Sequence, residues 1–423
     1  MQLTLNVDDW GAAPPLPPLY HVRQHWASAP PLDLEVAVGE QLERLGLRQQ
    51  IAPGMRVAIT AGSRGIHDLV PITRASVAWL RACGAEPFVV PAMGSHGGAT
   101  AEGQAAMLVA LGISEATVGC PIRATMEVVE LGRLADGTPV WMDRYAAEAD
   151  SLLLINRVKA HTSFSGPIES GLAKILAVGL GKREGAEIAH RAGSESLKTK
   201  IVPMARLAMA HRRVLGGLAI VEDAREATAM LVGLPPADIG GAGEAALLAQ
   251  SKQLMARLPF AELDVLVVDE IGKLISGTGM DTNVIGRRGI RAEPPLATPR
   301  VAVIVALALA EASHGNAAGV GLADIVTARL AAAIDFRATY VNMLTAGIVG
   351  LTKAALPITL PTDHTAIATA ISACGRAEPA AVRLCRIRNT LLLEELLVSA
   401  ALLPEVAANP VLELIGPADW QLQ

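Results

Sequence analysis

The sequence predicts an α/β protein of two domains, each built on a parallel-type sheet, with a cleft between them. Short apolar runs recur along the chain, and each is followed by a glycine-rich turn and then by a segment of helical periodicity. The chain has 423 residues and 51% of them are hydrophobic, which is enough for two cores. Aromatic residues make up only 3%, so Ala, Leu and Val supply most of the apolar surface. This composition favours buried strands and helices over an all-β fold.

The first domain is predicted to cover residues 1–255 and to carry the candidate site. Its strands are the runs Met55–Thr60, Pro87–Val90 and Leu152–Ile155. The runs carry apolar residues on both faces, as expected of parallel strands covered by helices on both sides. The turns AGSRG, AMGSHGG and NRVKAHTSFSG follow them, and ligands of open α/β sheets bind at that carboxyl edge. After the second turn, Thr100 is the expected N-cap of a helix that ends near Leu111.

The second domain is predicted to cover residues 256–423 and to close the cleft. A helix over Glu244–Leu258, stopped by Pro259, precedes it. Its strands are the runs Val265–Val268 and Val301–Leu307. The apolar stretch Leu391–Leu403 is predicted to be a core or interface helix, because the acidic pair within it argues against a membrane helix.

Charge, cysteine content and hydropathy exclude several classes of protein. Lys and Arg total 36 against 41 Asp and Glu, a net charge of -5 that is too mild for a nucleic-acid track. The longest apolar run, Val301–Ala310, is half of the roughly 20 residues that a membrane span requires. The four cysteines form neither a CxxC pair nor a zinc-type cluster. With no secretory signal pattern at the N-terminus, these features predict a cytoplasmic protein.

Lysine is concentrated in one part of the chain. Five of the eight lysines fall between residues 159 and 200, interleaved with His161 and His190. One interpretation is chance clustering on a solvated helix. The other is that this stretch needs an amine that is able to lose its proton, which Lys offers and Arg does not.

Three histidines lie where a ligand is able to meet them: His96 in GSHGG, His161 in KAHTSFSG and His190 in GAEIAH. The first two follow predicted strands at corresponding edges of the sheet. Imidazole titrates near neutral pH, so a facing pair would serve as acid and base in alternation. The alternative for each is a hydrogen-bonded turn residue.

Four segments together resemble the lactate racemase family, in the same order over most of the chain. They are ITAGSRGIHDLVP, AMGSHGGATAEGQ, VKAHTSFSGPIESGLAKILAVGLGKREGAEIAH and ISGTGMDTNVIGRR. Members of this family act on 2-hydroxy acids with a nickel-pincer nucleotide derived from a nicotinamide-type ring. The resemblance therefore implies an isomerase, a racemase or epimerase of a 2-hydroxy acid. It also implies partner proteins that build the cofactor.

The same resemblance implies a role for individual residues. Lys174 matches the lysine that bears the cofactor through a thioamide link, and His190 matches the histidine that completes the nickel coordination. His96 and His161 match the two acid/base histidines. Arg64 matches the arginine that grips the substrate carboxylate, for which its planar fork is suited.

Hydride transfer makes chemical sense of these residue types. Removal of the α-proton would create a dianion beside a carboxylate, whereas removal of a hydride leaves a neutral ketone. Side chains do not accept a hydride, so an electrophilic ring has to be supplied, and the protein then needs only to manage the hydroxyl proton. One imidazole and a planar three-point ligand would give nickel a square-planar site.

The chain departs from the family pattern at two places. The neighbours of Arg64 are glycine and serine where the family usually has an aspartate, and the second-domain motif reads IGRRG where the family supplies a glutamine and a lysine. Arg287 or Arg288 is expected to replace the lost cation. The changed shape predicts a substrate larger or more acidic than lactate, or a sugar acid that is epimerised.

Two other functions stay open at this point. One is a non-catalytic module that holds a nucleotide or small anion on the glycine-rich turns. The other is an enzyme of the same fold that uses a free nicotinamide cofactor, although neither a P-loop nor a GxGxxG motif is present. All three interpretations expect a small-molecule ligand and neither nucleic acid nor membrane as partner, and all are compatible with a homo-oligomer.

Overall fold

A computed structural model describes residues 15–27, 30–63, 65–190, 193–290, 296–344 and 346–423, apart from the side chains of residues 190 and 194. Its contacts divide the chain into two units. The first unit is Ser28–Met255, and the second combines the described residues 15–27 with Ala256–Gln423.

The strands and helices follow one another along the chain in an α/β order. The strands are β1 (Leu19–Gln24), β2 (Arg56–Ala61), β3 (Glu86–Pro91), β4 (Val128–Arg133), β5 (Pro139–Asp143), β6 (Ser151–Arg157), β7 (Val214–Glu222), β8 (Thr228–Leu234), β9 (Glu262–Ile271), β10 (Arg300–Leu309), β11 (Ile325–Thr327), β12 (Ile358–Leu360), β13 (Leu384–Ile387), β14 (Glu395–Ser399) and β15 (Leu412–Ala418). The helices are α1 (Leu34–Arg44), α2 (Leu69–Ala82), α3 (Ala101–Ala110), α4 (Glu115–Val118), α5 (Arg144–Glu148), α6 (Leu172–Lys174), α7 (Lys182–His190), α8 (Gly193–His211), α9 (Ala242–Leu254), α10 (Thr282–Ile285), α11 (Ala328–Ala332), α12 (Phe336–Leu344), α13 (Ile348–Leu351), α14 (Asp363–Ala373) and α15 (Leu403–Ala408).

The first unit is built on a five-stranded sheet in the order β3-β2-β6-β7-β8. Strands β3, β2, β6 and β7 are parallel, and only β8 is antiparallel to its neighbour. Both faces of the sheet are covered, as alternate residues of β6 show. Leu152 and Leu154 belong to one hydrophobic core, and Leu153 and Ile155 belong to another. Complete burial of one such side chain contributes about 1.5–3 kcal/mol. The predicted α/β class and the three predicted strands are confirmed.

Local signals set the helix that follows the second glycine-rich turn. Thr100 is extended and its side chain accepts a hydrogen bond from Gly103 N, so it is the N-cap of α3, as predicted. The helix ends at Ala110, one residue before the predicted end. The predicted helix at Glu244 also exists, but it stops at Leu254 and not at Leu258. There the backbone of Met255 becomes extended, four residues before Pro259.

The second unit is built on an eight-stranded mixed sheet in the order β12-β11-β10-β9-β13-β14-β1-β15. The strands from β12 to β13 are parallel, and β14, β1 and β15 are antiparallel to their neighbours. The two strands predicted here correspond to β9 and β10. The sequence-based division placed residues 1–255 in the first domain, whereas β1 lies within this second sheet. Leu19 and Val22 are buried there, which explains why the strand is held.

The predicted helix over Leu391–Leu403 is wrong. Its middle part, Glu395–Ser399, is strand β14, which pairs with β13 on one side and β1 on the other. Leu396 and Val398 are buried on one face, and Glu395 accepts hydrogen bonds from Arg23 Nε on β1 at 2.7 Å. An apolar run of this length fits a buried strand as well as a helix, and the two neighbouring strands decide between them.

In the part of the chain that the structure describes, the helices lack either the length or the apolar character of a membrane-crossing segment.

Candidate active site

The glycine-rich turns of the first unit lie at one edge of its sheet. They follow β2, β3 and β6, which are neighbours and parallel, so their carboxyl ends meet at the same edge. This edge is where open α/β sheets bind ligands. Arg64, in the turn after β2, lies outside the described residues, so its predicted carboxylate contact stays a prediction.

His96 lies in the turn after β3, and its side chain is exposed. The Ser63 hydroxyl, in the turn after β2, lies 2.5 Å from His96 Nδ1. A hydroxyl is able both to donate and to accept, so this contact is compatible with either neutral tautomer of the ring. With its proton on Nδ1, His96 would offer an unprotonated Nε2 as a base.

Glycine lets the His96 turn approach the segment that follows Lys174. Gly94 N donates to Gly179 O at 3.0 Å, and its φ of +58° is in the left-handed region. A Cβ added to Gly94 would lie 3.2 Å from Ala186 Cβ. The GSHGG turn is therefore fixed against the same stretch that carries the predicted cofactor lysine.

His161 lies in the loop after β6 and is held on three sides. Its backbone N donates to Glu169 Oε2 at 2.8 Å, and its Nδ1 accepts from Ser163 N at 3.0 Å. Its ring packs against Phe164 with 4.5 Å between the ring centroids. Because Nδ1 is the acceptor, the neutral ring carries its proton on Nε2. His161 therefore presents an N–H donor at Nε2.

Glu169 is the buried support of this loop. Besides His161 N, its carboxylate accepts from Gly166 N at 3.0 Å and forms an ion pair with Lys252 at 2.6 Å. Glu169 and Phe164 are not among the site residues that the sequence predicts. A glutamate within the Ser- and Gly-rich stretch SFSGPIESG was the available signal.

Lys174 ends the short helix α6 and is followed by a π-helical turn over Ile175–Gly179. It is half-buried, whereas the residues of that turn are buried. Its Nζ lies 6.0 Å from the centroid of the Phe164 ring. Phe164 thus contacts both His161 and Lys174, which brings two of the predicted site residues to one aromatic ring. Single π-helical turns occur frequently at functional sites.

The start of this helix is held by a buried carboxylate from α9. Glu244 accepts from Leu172 N at 2.5 Å, from Ala173 N at 3.2 Å and from Gly240 N at 2.7 Å. Burial raises the pKa of Glu244, and these three hydrogen bonds oppose the shift. Sequence reasoning missed this residue, although a glutamate at helical spacing from Leu247 and Leu248, and so on the same apolar face, is a recognisable signal.

The metal-binding prediction concerns His190, the last residue of α7. Its side chain lies outside the described part of the structure, so its role stays a prediction. Among the side chains that the structure describes, no group of three or more His, Cys, Asp or Glu is placed to hold a metal ion.

Arg287 and Arg288 belong to the second unit. Arg287 Nη1 lies 2.7 Å from Asp324 Oδ1 and donates to Leu322 O at 3.1 Å. Arg287 would therefore have to exchange a carboxylate partner in order to bind a substrate. Arg288 is buried, at 7% exposure. Substrate binding by either arginine stays a prediction.

The fold and the site define an α/β protein with two histidine-bearing turns and a lysine at the carboxyl edge of a parallel sheet. Residues 38–200 match the lactate racemase N-terminal domain family. This range contains His96, His161, Lys174 and His190. Over that range the chain is similar to a lactate racemase N-terminal domain, and the resemblance drawn from the sequence is confirmed there.

Other comparisons give weaker likenesses. A comparison with curated proteins finds no match. The crystal structure of a Thermotoga maritima protein, a structural genomics target, matches with 14% identity and a TM-score of 0.45 over 67% of this chain and 72% of that one. The lactate racemase apoprotein from Thermoanaerobacterium thermosaccharolyticum matches with 14% identity and a TM-score of 0.41 over 68% of this chain and 69% of that one. At these values neither structure carries an argument about activity.

Proposed function

We propose that this protein is a racemase or epimerase of a 2-hydroxy acid that carries a nickel-pincer nucleotide on Lys174. The observation that supports it best is the arrangement of Lys174 and His161 around Phe164, inside the stretch that matches the racemase domain. Lys174 is half-buried beside an aromatic ring, which suits an amine joined to a flat heteroaromatic group. When bound, that group would supply a reversible acceptor for the hydride of the substrate.

The residues that fit the group come from the first unit. Lys174 would carry it through the thioamide link, and His190 would supply one imidazole to the metal. The remaining metal ligands would then belong to the organic group. Neutral imidazole is the form that ligates a metal.

The two acid/base histidines are not equivalent in their hydrogen bonding. His96 is able to take the hydroxyl proton at Nε2 while Nδ1–H donates to the Ser63 hydroxyl. His161, with Ser163 N on its Nδ1, donates from Nε2 to the substrate oxygen in its neutral form. To act as a base at Nε2 it would have to break the Ser163 bond. In this proposal His96 is the base for one hand of the substrate, and His161 donates a hydrogen bond to its oxygen.

The compartment and partners follow from the same proposal. All four cysteines are free thiols, which supports a reducing environment, and we propose a cytoplasmic location. Its partners would be the small 2-hydroxy acid and the proteins that build the cofactor.

The decisive experiment is co-expression with a pincer-nucleotide biosynthetic pathway, followed by mass spectrometry of the Lys174 peptide and nickel analysis. The matched control is Lys174→Arg, which keeps the positive charge but cannot form the thioamide. We expect a modified peptide and bound nickel in the parent chain and neither in the variant. An unmodified Lys174 and no nickel after such co-expression would refute the proposal, and loosely held cofactor would favour the free-nicotinamide alternative.

Turnover is tested with a panel of enantiopure 2-hydroxy acids. Inversion with deuterium retained at the α-carbon is expected, because hydride and not proton moves. His96→Ala and His161→Ala should lose turnover and keep nickel, whereas His190→Ala should lose nickel. Deuterium washed into solvent would contradict the hydride route, and ligand binding without inversion would favour the non-catalytic alternative.

A further inference from the structure

Lys182, the first residue of α7, is a fully buried lysine that the proposed reaction does not use. Its side chain is 0% exposed, and its φ of +51° is unusual for a residue with a side chain. Its Nζ donates to Pro91 O at 2.5 Å and to Gln104 Oε1 at 2.8 Å, and lies 2.9 Å from Asp143 Oδ2. Three oxygen atoms from three different elements thus surround one buried ammonium group.

The oxygens around Lys182 compensate for its loss of water. Asp143 and Gln104 are also 0% exposed. Burial lowers the pKa of Lys182 and raises the pKa of Asp143, and in each case the other member of the pair opposes the shift. A buried pair of this kind contributes little to stability compared with apolar replacements, and fixing a particular geometry is one attested use of such pairs.

Gln104 connects this pair to the His96 turn. Its Nε2 donates to Gly94 O at 2.8 Å and to His96 O at 3.3 Å, while its Oε1 accepts from Lys182. Pro91, the other backbone acceptor of Lys182, is the last residue of β3, just before that turn. Lys182 itself follows the π-helical turn after Lys174. The network therefore joins the turn with the acid/base histidine to the segment with the cofactor lysine.

We propose that Lys182 and Gln104 are positioning residues, which fix the His96 turn relative to the segment that carries Lys174. Lys182 Nζ donates to Gln104 Oε1 and so fixes the Gln104 amide, whose Nε2 in turn donates to the backbone oxygens of Gly94 and His96. The catalytic part of this inference rests on the proposed function. The placement of the turn does not, because it is a property of the chain without cofactor.

The test uses Gln104→Leu, which keeps the size of the side chain and removes both hydrogen-bonding groups. In the apoprotein, amides between residues 92 and 104 are expected to exchange hydrogen at least tenfold faster than in the parent chain. The labelled His96 ring should also shift its NMR signal, with His96→Ala as the assignment standard. The control is Gln250→Leu, an exposed glutamine of α9 in the same unit, which should change neither.

A double variant, Lys182→Met with Asp143→Leu, removes both charges together and avoids leaving one buried alone. It should loosen the same amides between residues 92 and 104. In cofactor-loaded enzyme, Gln104→Leu should lower kcat about tenfold with unchanged KM and unchanged cofactor content. Unchanged exchange, or an increase spread evenly over residues 28–255, would overturn the proposal, as would a wild-type kcat in the loaded variant. If the parent chain never acquires the cofactor, the exchange and NMR results still decide on the positioning role.

Discussion

Replacing Glu244 by alanine tests how the start of helix α6, which ends in Lys174, is held. The variant leaves three buried backbone donors, Leu172 N, Ala173 N and Gly240 N, without their acceptor. An unsatisfied buried donor costs roughly 1–3 kcal/mol. Since water will enter part of the space, the lower end applies, and we expect a loss of about 3 kcal/mol in the free energy of unfolding.

For a unit of this size, that loss corresponds to a fall in Tm of about 6–12 °C. Calorimetry measures the transition, and hydrogen exchange should show the largest increase at the amides of Leu172 and Ala173. Glu244→Gln keeps one acceptor oxygen and should lose only about 1–2 kcal/mol. Gln250→Ala, on the exposed face of the same helix, is the control and should stay within about 0.5 kcal/mol. If Glu244→Ala unfolds like the control and these amides stay protected, Glu244 does not hold the start of α6.

Three further results are expected. Because burial raises the pKa of Glu244 above its ordinary 4.5, the folded chain keeps a proton that the unfolded chain loses above that pH. The stability that this group contributes is fully present below pH 4.5 and is lost as pH rises through the raised pKa. In urea unfolding at a series of pH values, Glu244→Gln should therefore remove this part of the pH dependence of the free energy of unfolding. Parallel curves of stability against pH for parent and variant would contradict it. Gly171→Ala should lower the free energy of unfolding by at least about 2 kcal/mol, because the new Cβ would lie 2.2 Å from Glu244 Oε1 at a φ of +88°. The control Gly54→Ala has a similar φ of +76° but open space around the new Cβ, and should lose about 1 kcal/mol. Equal losses in calorimetry would refute the contact. Burial raises the pKa of Cys120 to about 11 and also raises the pKa values of Cys385 and Cys83. Cys120 and Cys385 are buried whereas Cys83 and Cys374 are partly exposed, so iodoacetamide at pH 8 should label the partly exposed pair first, and the unfolded chain should label all four. Fast labelling of either buried thiol would contradict its placement.

The sequence predicts the parts of the fold that are determined by residues close to one another along the chain. Strands β2, β3 and β6 are continuous apolar runs bounded by glycine-rich turns, and Thr100 caps the helix beside it. Parallel pairing then places the turns at one edge without further information. His96 and His161 were selectable for the same reason, because each follows a recognisable strand.

The parts that the sequence does not predict depend on partners far along the chain. Glu244 binds backbone groups 71 and 72 residues earlier, and Lys182 binds Gln104 at a separation of 78. Periodicity marks such residues only as charged positions within buried segments. The helix predicted over β14 is wrong for a related reason. Its apolar residues fit a helix or a strand equally well, and only the pairing with β1 and β13 decides for the strand.

Strand β1 pairs with strands that lie far from it in the sequence. Leu19 of β1 is paired with Ser399 of β14 and with Ala418 of β15, and β15 lies at the edge of the described sheet, next to β1. During synthesis, β1 must therefore wait for β14 and β15 before its ladder closes. A fragment that begins at residue 256 would present an open row of backbone groups on β14 and leave β15 unattached, which invites edge-to-edge aggregation. Biophysical work on the second unit alone would need residues 15–27 restored, for example as a fused N-terminal segment.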